Sequence, residues 1–444
     1  MDKQTDRRKT VADYLIASKK CDILSLEQLL RMGRLVVSVS NLVHALQRER
    51  GVSNMYVASG GHRFADQLGP LRRNTHEKEL QFLACLDEID PDSACLPGGS
   101  RLFSRIAHVI HGLDALETIR TAIDPLNVDS ETLMTGYSEL VQGLLAVVFE
   151  AADSAADPDV SRELVAMFHL MQGKEYAGQE RALGAAGFAR GGLDPAMAER
   201  LRHLIDNQER CFEIFTEFAD DASLALWHES GVEPCPADLE RLRRIAFASV
   251  AEGGANPEHC DPWFDYASRR IDGMKQIEDQ LEATLDALCE RKLEAAREDL
   301  DCHQDQLEAL AERQPVSTGF AVFVNGELAE PTGSAASGVA YSADMASAQL
   351  GRSLADLVHT QSRRLQEMSE ELDAARAALD ERKTIEKAKG LIMRYRGLSE
   401  EEAYKFLRQL AMAQSRRLAE VAADTINMAD IFRTSGDSRT SCSR

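Results

Sequence analysis

The chain has 444 residues, which at roughly 100 to 200 residues per domain predicts two to four domains with real cores. It carries 51 Lys and Arg against 73 Asp and Glu, and the net charge of −22, taken over the whole chain, argues against a nucleic-acid binder. The charge is uneven, however. Residues 361–444 hold 16 basic and 14 acidic residues, a net +2, so the first 360 residues carry −24.

The nine cysteines are scattered and odd in number, with no C-x-x-C pair, which favours a reducing compartment over a disulfide framework. Only Cys302 and His303 place two soft ligands side by side, and we predict no metal site. The first ten residues are charged and no apolar segment follows them, so no signal peptide is predicted. The longest apolar run, Leu144 to Phe149, is far shorter than the roughly 20 residues of a membrane-spanning helix. We therefore expect a soluble, cytoplasmic protein without a membrane partner.

Helix is the predicted structure for most of the chain, because only 12 prolines interrupt it and apolar residues recur at spacings of three and four. Ser25 and Gln28 form a capping-box pair that predicts a helix start. The apolar stripe of this helix consists of Leu29, Met32, Val36, Val39, Val43 and Leu46. Arg50 occupies the next position of that stripe, and the pattern stops at the glycine pair 60–61.

A second segment repeats this plan. Asp157 and Pro158 predict the start of a helix that ends at the glycine pair 191–192. A shift of 131 residues superposes Glu49 on Glu180, Arg50 on Arg181, Ala58 on Ala189 and the two glycine pairs on each other. The repeat predicts two pseudo-equivalent helical bundles. A chance similarity is the alternative.

Further helices are predicted at 102–123, 130–151, 195–218, 237–251 and 263–313. Residues 314–346 read as a linker, compatible with a small hairpin at the turn 325–326. Leu365, Leu372 and Leu379 are seven residues apart, with Met368 and Ala375 between them, which predicts a short coiled coil. Gly397 ends that helix, Ser399 and Glu402 cap the next, and another begins near Ser415, so the C-terminal unit is a three-helix module.

Two clusters of basic residues are candidate sites. Arg50 and Arg181 lie on apolar stripes, where a guanidinium must meet a carboxylate, a carbonyl or a bound anion. The planar N–H donors of two guanidinium groups could hold one planar oxyanion between them. The alternative is that each arginine pairs with an acidic neighbour: Glu49, Glu180 or Glu175. Residues 382–396 carry a local charge of +5, which can track phosphates or form an ordinary solvated helix face.

Catalytic and cofactor-binding signatures are missing. The sequence has no Walker loop, G-x-G-x-x-G, G-x-S-x-G, H-E-x-x-H or kinase H-R-D motif, and its histidines show no triad or zinc spacing. We predict that the protein is not an enzyme, has no catalytic or metal-binding residues and uses no cofactor.

The C-terminal region resembles the ANTAR family over residues 365–432. The resemblance rests on linked motifs at Ala378-Leu379, Arg382, Ile385, Ala388-Lys389-Gly390, Met393, Ala403 and Ala411-Met412. It implies binding to paired stem-loops in leader RNA, where they compete with a terminator hairpin. The residues that the resemblance assigns to the RNA face are Arg382, Lys383, Lys387, Lys389, Arg394, Arg416 and Arg417, with Gly390 and Ala411 allowing close approach.

The first 300 residues resemble the NIT family of nitrate- and nitrite-sensing domains. The resemblance rests on residues 47–51, on residues 174–182, and on Trp263 followed by Arg270 and Ile271. It implies an all-helical domain that holds the anion between helices through arginines. Carried to this chain, those arginines are Arg50 and Arg181, with Arg243 or Arg244 as a third.

The sequence as a whole predicts an all-α protein with two pseudo-repeated bundles, a coiled-coil stalk and a three-helix module. The predicted segments are an extension at 1–24, the sensor at 25–313, the linker at 314–346, the stalk and RNA-binding module at 347–433, and a tail at 434–444. The resemblance implies a nitrate- or nitrite-responsive antiterminator, a homodimer without a DNA partner. Alternatives are a sensor of another small anion or carboxylate, and a helical scaffold that binds neither anion nor RNA.

Overall fold

A computed structural model describes residues 11–89, 99–232, 235–312, 323–324, 327–328, 369, 372, 376–377, 379–398, 400–414 and 416–437. The protein is all-α apart from one pair of two-residue strands. The helices of the first 312 residues are α1 (Val11–Ala58), α2 (Ala65–Asp87), α3 (Gly99–Ile123), α4 (Ser130–Ser154), α5 (Pro158–Ala189), α6 (Pro195–Phe218), α7 (Asp221–Glu229), α8 (Ala237–Glu252) and α9 (Cys260–Glu312), with a 3₁₀ turn at Pro257–His259 before α9. Strands β1 (Phe323–Val324) and β2 (Glu327–Leu328) follow, then helix α10 at residues 379–396, α11 (Glu400–Gln414) and α12 (Leu418–Asp437).

Aspartates begin several of these helices. The side chains of Asp129, Asp157, Asp194 and Asp220 accept hydrogen bonds from the free backbone N–H groups of α4, α5, α6 and α7. Pro158 and Pro195 occupy the first turns of α5 and α6, where a missing N–H costs nothing. The predicted start of α5 is therefore confirmed.

The predicted start of the first helix is wrong. α1 begins at Val11 and runs through Ser25 without interruption, so the capping-box pattern lies inside a helix and residues 11–24 are not an irregular extension. Two helices, α2 and α7, were not predicted. In α2 the Gly69–Pro70 pair, typical of a turn, lies within the helix.

The chain divides into two compact units. The first unit contains residues 1–28 and 290–372, and in it the N-terminal part of α1 contacts the C-terminal part of α9. Lys19 Nζ lies 2.5 Å from Asp299 Oδ2, and Arg297 Nη2 lies 2.7 Å from Glu27 Oε1. β1 and β2 pair antiparallel in this unit, with Phe323 opposite Leu328, as a small hairpin in the predicted linker would require.

The second unit contains residues 29–289 and 373–444. The six stripe residues of α1 are all buried, as the periodicity predicted. In the second repeat Trp263 is fully buried against Phe188, and a Cβ on Gly184 would lie 2.1 Å from the indole ring. Gly184 therefore makes room for Trp263, whose Nε1 donates to the Arg181 carbonyl at 3.0 Å.

The C-terminal helices form their own apolar core within this unit. It is built from Ala388, Ile392, Ala403, Leu407, Ala411, Val421, Ala422 and Ile426. Gly397 ends α10 with a φ of 65°, a left-handed conformation that favours glycine, as predicted. Of the predicted heptad positions, Leu372 and Leu379 are described and Leu379 is fully buried, whereas Leu365, Met368 and Ala375 lie outside the described residues, as do Ser399 and Ser415.

Among the described residues, two helices are long and apolar enough to cross a membrane by length and composition: the 16–58 part of α1, and α4. Core helices of soluble proteins pass the same test, and 67% of the most apolar window of α1 is buried inside the protein. This observation is therefore weak evidence for a membrane span.

Glu163 makes the stability of the sensor region depend on pH. Its side chain is 8% exposed, and burial, followed by the negative charge of Asp220, raises its pKa from 4.5 to about 7. The folded state thus holds a proton that the unfolded chain releases. The free energy of unfolding should fall by up to about 3 kcal/mol as the pH rises from the unfolded pKa through the folded one. Urea denaturation across this pH range should show the decline in the wild type and not in Glu163→Gln; equal profiles would contradict it.

Candidate functional site

Each repeat is built around a buried glutamate that precedes the arginine of interest. Glu49 accepts hydrogen bonds from Arg120 Nε and Nη2, both at 2.8 Å, and from the Tyr137 hydroxyl at 2.8 Å. Glu180 accepts them from Arg243 Nε and Nη2 at 2.7 and 2.8 Å. Although burial opposes ionisation, Arg120 holds the pKa of Glu49 below its ordinary value. The two repeats therefore share the same charged centre, as the shift of 131 residues predicted.

Arg50 is buried and paired. Its Nη1 lies 2.5 Å from Glu175 Oε1 and its Nη2 lies 3.0 Å from Glu175 Oε2. Nη1 also donates to Ser138 Oγ at 2.8 Å. Glu175, which is fully buried, accepts two more hydrogen bonds, from the side-chain amides of Gln47 and Gln179 at 2.8 and 2.9 Å. Arg50 therefore pairs with an acidic neighbour, which is one of the two hypotheses that the sequence left open.

Arg181 is buried without such a partner. None of the carboxylates in the described part of the chain forms an ion pair with its guanidinium, which instead donates to Ser268 Oγ at 2.9 Å and to the Gln47 carbonyl at 3.3 Å. The guanidinium carbon lies 4.9 Å from the centre of the Phe264 ring. Burial, followed by the charge of Arg50, lowers the pKa of Arg181 to about 10. Arg181 is thus a buried cation without a neutralising anion.

Both arginines line one small cavity. Its volume is about 10 Å³, roughly the room that one water molecule needs. The other lining residues are Gly51, Asn54, Met55, Met134, Gly178, Ala182, Ala185 and Phe264. A planar oxyanion is larger than a water molecule, so it enters only if the helices around the cavity move apart.

Two glycines bring each arginine against the other helix. A Cβ on Gly51 of α1 would lie 2.5 Å from Arg181 Nη2, and a Cβ on Gly178 of α5 would lie 2.8 Å from Arg50 Nη2. A larger residue at either position would displace a guanidinium from the cavity. The close contact couples the position of α1 to that of α5.

The structure does not bring the predicted third arginine to this cavity. Arg243 is bound to Glu180, which raises its pKa against the opposing effect of burial. Arg244 has a side chain that is 78% exposed, with Glu240 3.9 Å away. Neither residue lines the cavity. Arg243 instead binds the buried glutamate of its own repeat, Glu180, as Arg120 binds Glu49 in the other repeat.

The residues predicted for RNA binding fall into three groups. Lys387, Gly390, Arg394, Arg416 and Arg417 are exposed, and Arg416 is bound within its module to Glu420 and Asp424 at 3.1 and 2.5 Å. Two are buried: Lys389, which donates to Glu386 at 2.9 Å, and Ala411, which belongs to the apolar core. The other two, Arg382 and Lys383, contact the sensor helices.

Arg382 is held by three side chains on one face of α5. Its Nη2 donates to Gln172 Oε1 at 3.0 Å, and its guanidinium carbon lies 5.0 Å from the centre of the Phe168 ring. Tyr176 lines the same cavity as Arg382 and, followed by Cys211 and Glu386, raises the pKa of Arg382 above its ordinary value, although burial opposes this. Phe168, Gln172 and Tyr176 are four residues apart, so they lie in one row along the helix.

Lys383 and helix α11 make further contacts with acidic side chains of the sensor. Lys383 forms an ion pair with Asp153, whose side chain is 8% exposed. On α11, Lys405 lies 3.1 Å from Glu199, and Arg408 forms an ion pair with Asp206. The Tyr404 hydroxyl accepts a hydrogen bond from Arg210 at 2.6 Å. A basic module thus lies against an acidic surface of the sensor.

Sequence reasoning missed the partners of the predicted residues. Glu175 was named only as one of several acidic neighbours, and the row at residues 168, 172 and 176 was not singled out. The four-residue spacing of that row was the available signal, but nothing in one sequence indicated that a residue more than 200 positions away packs on it. In the described residues no group of three or more His, Cys, Asp or Glu is placed to hold a metal ion.

The sensor contains two helical repeats whose buried arginines line one cavity, and a three-helix module with a basic patch packs against it. This combination defines a regulatory protein with a ligand-sensing domain and a separate binding module. Residues 41–286 match the family model described as nitrate and nitrite sensing, NIT, and residues 373–426 match the ANTAR domain. The chain is 31% identical over 425 residues to the nitrate regulatory protein of Klebsiella oxytoca, covering 95% of this chain and 96% of that one. It is also similar to the solved structure of the NasR transcription antiterminator, with a TM-score of 0.56, 30% identity and coverage of 95% of this chain and 99% of that one.

The chain belongs to the family of nitrate regulatory proteins that join a NIT domain to an ANTAR domain. Both matched domains are regulatory, and the predicted family and all-α fold class are confirmed.

Proposed function

We propose that this protein is a nitrate- or nitrite-responsive transcription antiterminator. The observation that carries the proposal is the buried guanidinium of Arg181, which has no ion-pair partner among the described residues and faces the same cavity as Arg50. A buried cation of this kind is expensive unless an anion neutralises it. The planar donor forks of two arginines match a planar oxyanion, and the related proteins are described as nitrate-sensing and nitrate-regulatory.

Helix α5 connects the anion site to the RNA-binding module. One side of α5 carries Glu175, Gly178 and Arg181 at the anion site, and another carries the row that holds Arg382. Entry of an anion must widen the cavity between α1 and α5. A shift of α5 that accommodates the anion weakens the contacts to Arg382. The anion therefore binds better when the RNA-binding module is released than when it is held, and this difference in affinity shifts the equilibrium toward release.

Release exposes the basic surface for RNA. In the sequestered arrangement Arg382 and Lys383 contact the sensor, and its acidic groups Asp153, Glu199 and Asp206 take the places of phosphates. Two open clefts of about 220 and 520 Å³ lie along this contact, each lined by residues of the sensor and of α10. The freed residues then hold the stems of paired stem-loops in leader RNA and prevent terminator formation.

At Gly390, apart from its chain neighbours and the backbone of its own helix, no atom of the described residues lies within 4 Å of where a Cβ would be. Packing inside the protein therefore does not require glycine there, which supports a close approach of RNA to this point of α10. We propose the segments 25–313 as the sensor, 314–346 as the linker and 347–433 as the stalk and RNA-binding module. The protein works in the cytoplasm as a homodimer, without enzymatic activity and without DNA as a partner.

A sensor of another small anion or carboxylate is the second candidate. The observation that favours it is Glu175, because this carboxylate already occupies the fork of Arg50 and shows that a carboxylate fits there. Such a sensor would control the same RNA-binding module.

Calorimetry of the full chain with nitrate, nitrite, chloride and acetate separates the two candidates. We expect saturable heat with nitrate or nitrite and none with chloride or acetate at the same concentrations. Binding of acetate in place of nitrate would favour the carboxylate sensor. If none of the four anions binds, the anion site is not functional and the proposed function is wrong.

A further inference from the structure

The anion site contains two buried arginines and one buried carboxylate, that of Glu175, which pairs with Arg50. Arg50, Arg181 and Glu175 are at most 7% exposed, so all three charges lie in the protein interior. The other buried charges nearby are already paired: Glu49 with Arg120, Glu180 with Arg243, and Lys174 with Glu278. Counting these buried groups, two cations and one anion give the site a charge of +1; the carboxylate of Asp272, which also attracts Arg181, is exposed to solvent that screens its charge.

The internal repeat shows where a second carboxylate is missing. The shift of 131 residues that superposes Arg50 on Arg181 places His44 at the position equivalent to Glu175. His44 is partly buried, and its Nδ1 atom is shielded from solvent with no hydrogen-bond partner in the described part of the chain. Burial, followed by the charge of Lys174, lowers its pKa to about 2, so the imidazole is neutral. Ser138 and Ser268, which contact the two arginines, occupy nearly equivalent positions in the two repeats. The carboxylate of Glu175 has no such counterpart.

The hydrogen bonds around Glu175 require its ionised form. Oε1 accepts from Arg50 Nη1 and Gln179 Nε2, and Oε2 accepts from Arg50 Nη2 and Gln47 Nε2. All four contacts are donors, and a protonated carboxyl group would bring its own O–H against one of them. Glu175 therefore contributes a full negative charge to the site.

We propose that Glu175 is the specificity-determining residue of the anion site: by holding the site at +1, it selects a singly charged anion and rejects doubly charged ones. This inference rests on the proposed function. A singly charged anion neutralises the site, whereas a dianion would leave an uncompensated negative charge in the protein interior. The shape of the cavity alone would not distinguish oxyanions of similar size and different charge.

The test compares chlorate with sulfite, which both carry three oxygens on a pyramidal centre and differ by one charge at mildly alkaline pH. Calorimetry of the full chain should show that wild type binds chlorate, like nitrate, at least about tenfold more tightly than sulfite. Glu175→Gln raises the site to +2, and the preference should shrink by about tenfold or reverse. Glu163→Gln removes a buried carboxylate that lies twelve residues before Glu175 on α5, about 18 Å away along the helix axis, and its preference should equal that of wild type.

The outcomes separate this inference from the proposed function. If wild type binds no anion, both are wrong. If wild type binds nitrate but prefers sulfite to chlorate, or if Glu175→Gln leaves the ratio unchanged, the site is an anion sensor and Glu175 does not set its specificity. If Glu175→Gln does not fold, Glu175→Asp takes its place: it keeps the charge, and the chlorate preference must persist even if both anions bind more weakly.

Discussion

Arg181→Met should abolish nitrate binding without lowering the free energy of unfolding. The guanidinium is buried, pairs with no described carboxylate and has a pKa lowered to about 10, so its removal relieves the cost of burying a charge. Only two hydrogen bonds, to Ser268 and to the Gln47 carbonyl, are lost. Calorimetry with nitrate and urea denaturation of the same preparation check the two parts of this expectation.

Arg50→Met should abolish nitrate binding as well, but at a large cost in stability. Its loss leaves Glu175 buried and unpaired, and breaking a buried pair in this way destabilises a protein by about 3–5 kcal/mol. Arg63→Met, which removes an exposed arginine paired with Asp261, is the matched control and should bind nitrate normally. Equal stabilities for the two site variants, or normal nitrate binding by both, would contradict an arrangement in which Glu175 pairs with Arg50 and Arg181 has no carboxylate of its own.

Neutralising the acidic surface of the sensor should make RNA binding independent of nitrate. The variant combines Asp153→Asn, Glu199→Gln and Asp206→Asn, which remove the partners of Lys383, Lys405 and Arg408. Ion pairs near the surface contribute about 0.2–1 kcal/mol each, so the sequestered state should lose roughly 1–3 kcal/mol. That loss corresponds to a gain of about 5- to 150-fold in RNA affinity without nitrate, measured by filter binding or anisotropy.

The control for this variant is Asp261→Asn, which neutralises an exposed acid of the same sensor whose partner is Arg63. Its RNA affinity should rise only on addition of nitrate, as in wild type. If the triple variant still needs nitrate to the same extent, the acidic surface does not hold the basic module back.

Much of the fold follows from local sequence. The stripe from Leu29 to Leu46, the Asp-Pro start of α5 and the end of α10 at Gly397 depend on short-range periodicity and capping, which one sequence shows directly. The start of α1 was misplaced because its first turns are secured by contacts with residues more than 250 positions away, such as Lys19 with Asp299. A local capping pattern cannot report such a contact.

The candidate site could be predicted only in part, again because some of its contacts join residues far apart in the sequence. The repeat placed Arg50 and Arg181 at equivalent heights, and both arginines do line one cavity. Their different partners could not be predicted, because Glu175 and His44 occupy equivalent positions and only packing shows which charge is compensated. Likewise, the basic patch of α10 identified Arg382 and Lys383, but their burial against α5 and Asp153 depends on how the two modules pack together.

The most direct test of ligand-controlled release is the affinity of the full-length protein for leader RNA with two stem-loops, measured with and without nitrate. A fragment that begins near residue 361 serves as the unregulated reference. Full-length protein should bind RNA weakly alone and approach the affinity of the fragment when nitrate is added, and the fragment should be indifferent to nitrate. Equal affinity of the full-length protein with and without nitrate would contradict the account.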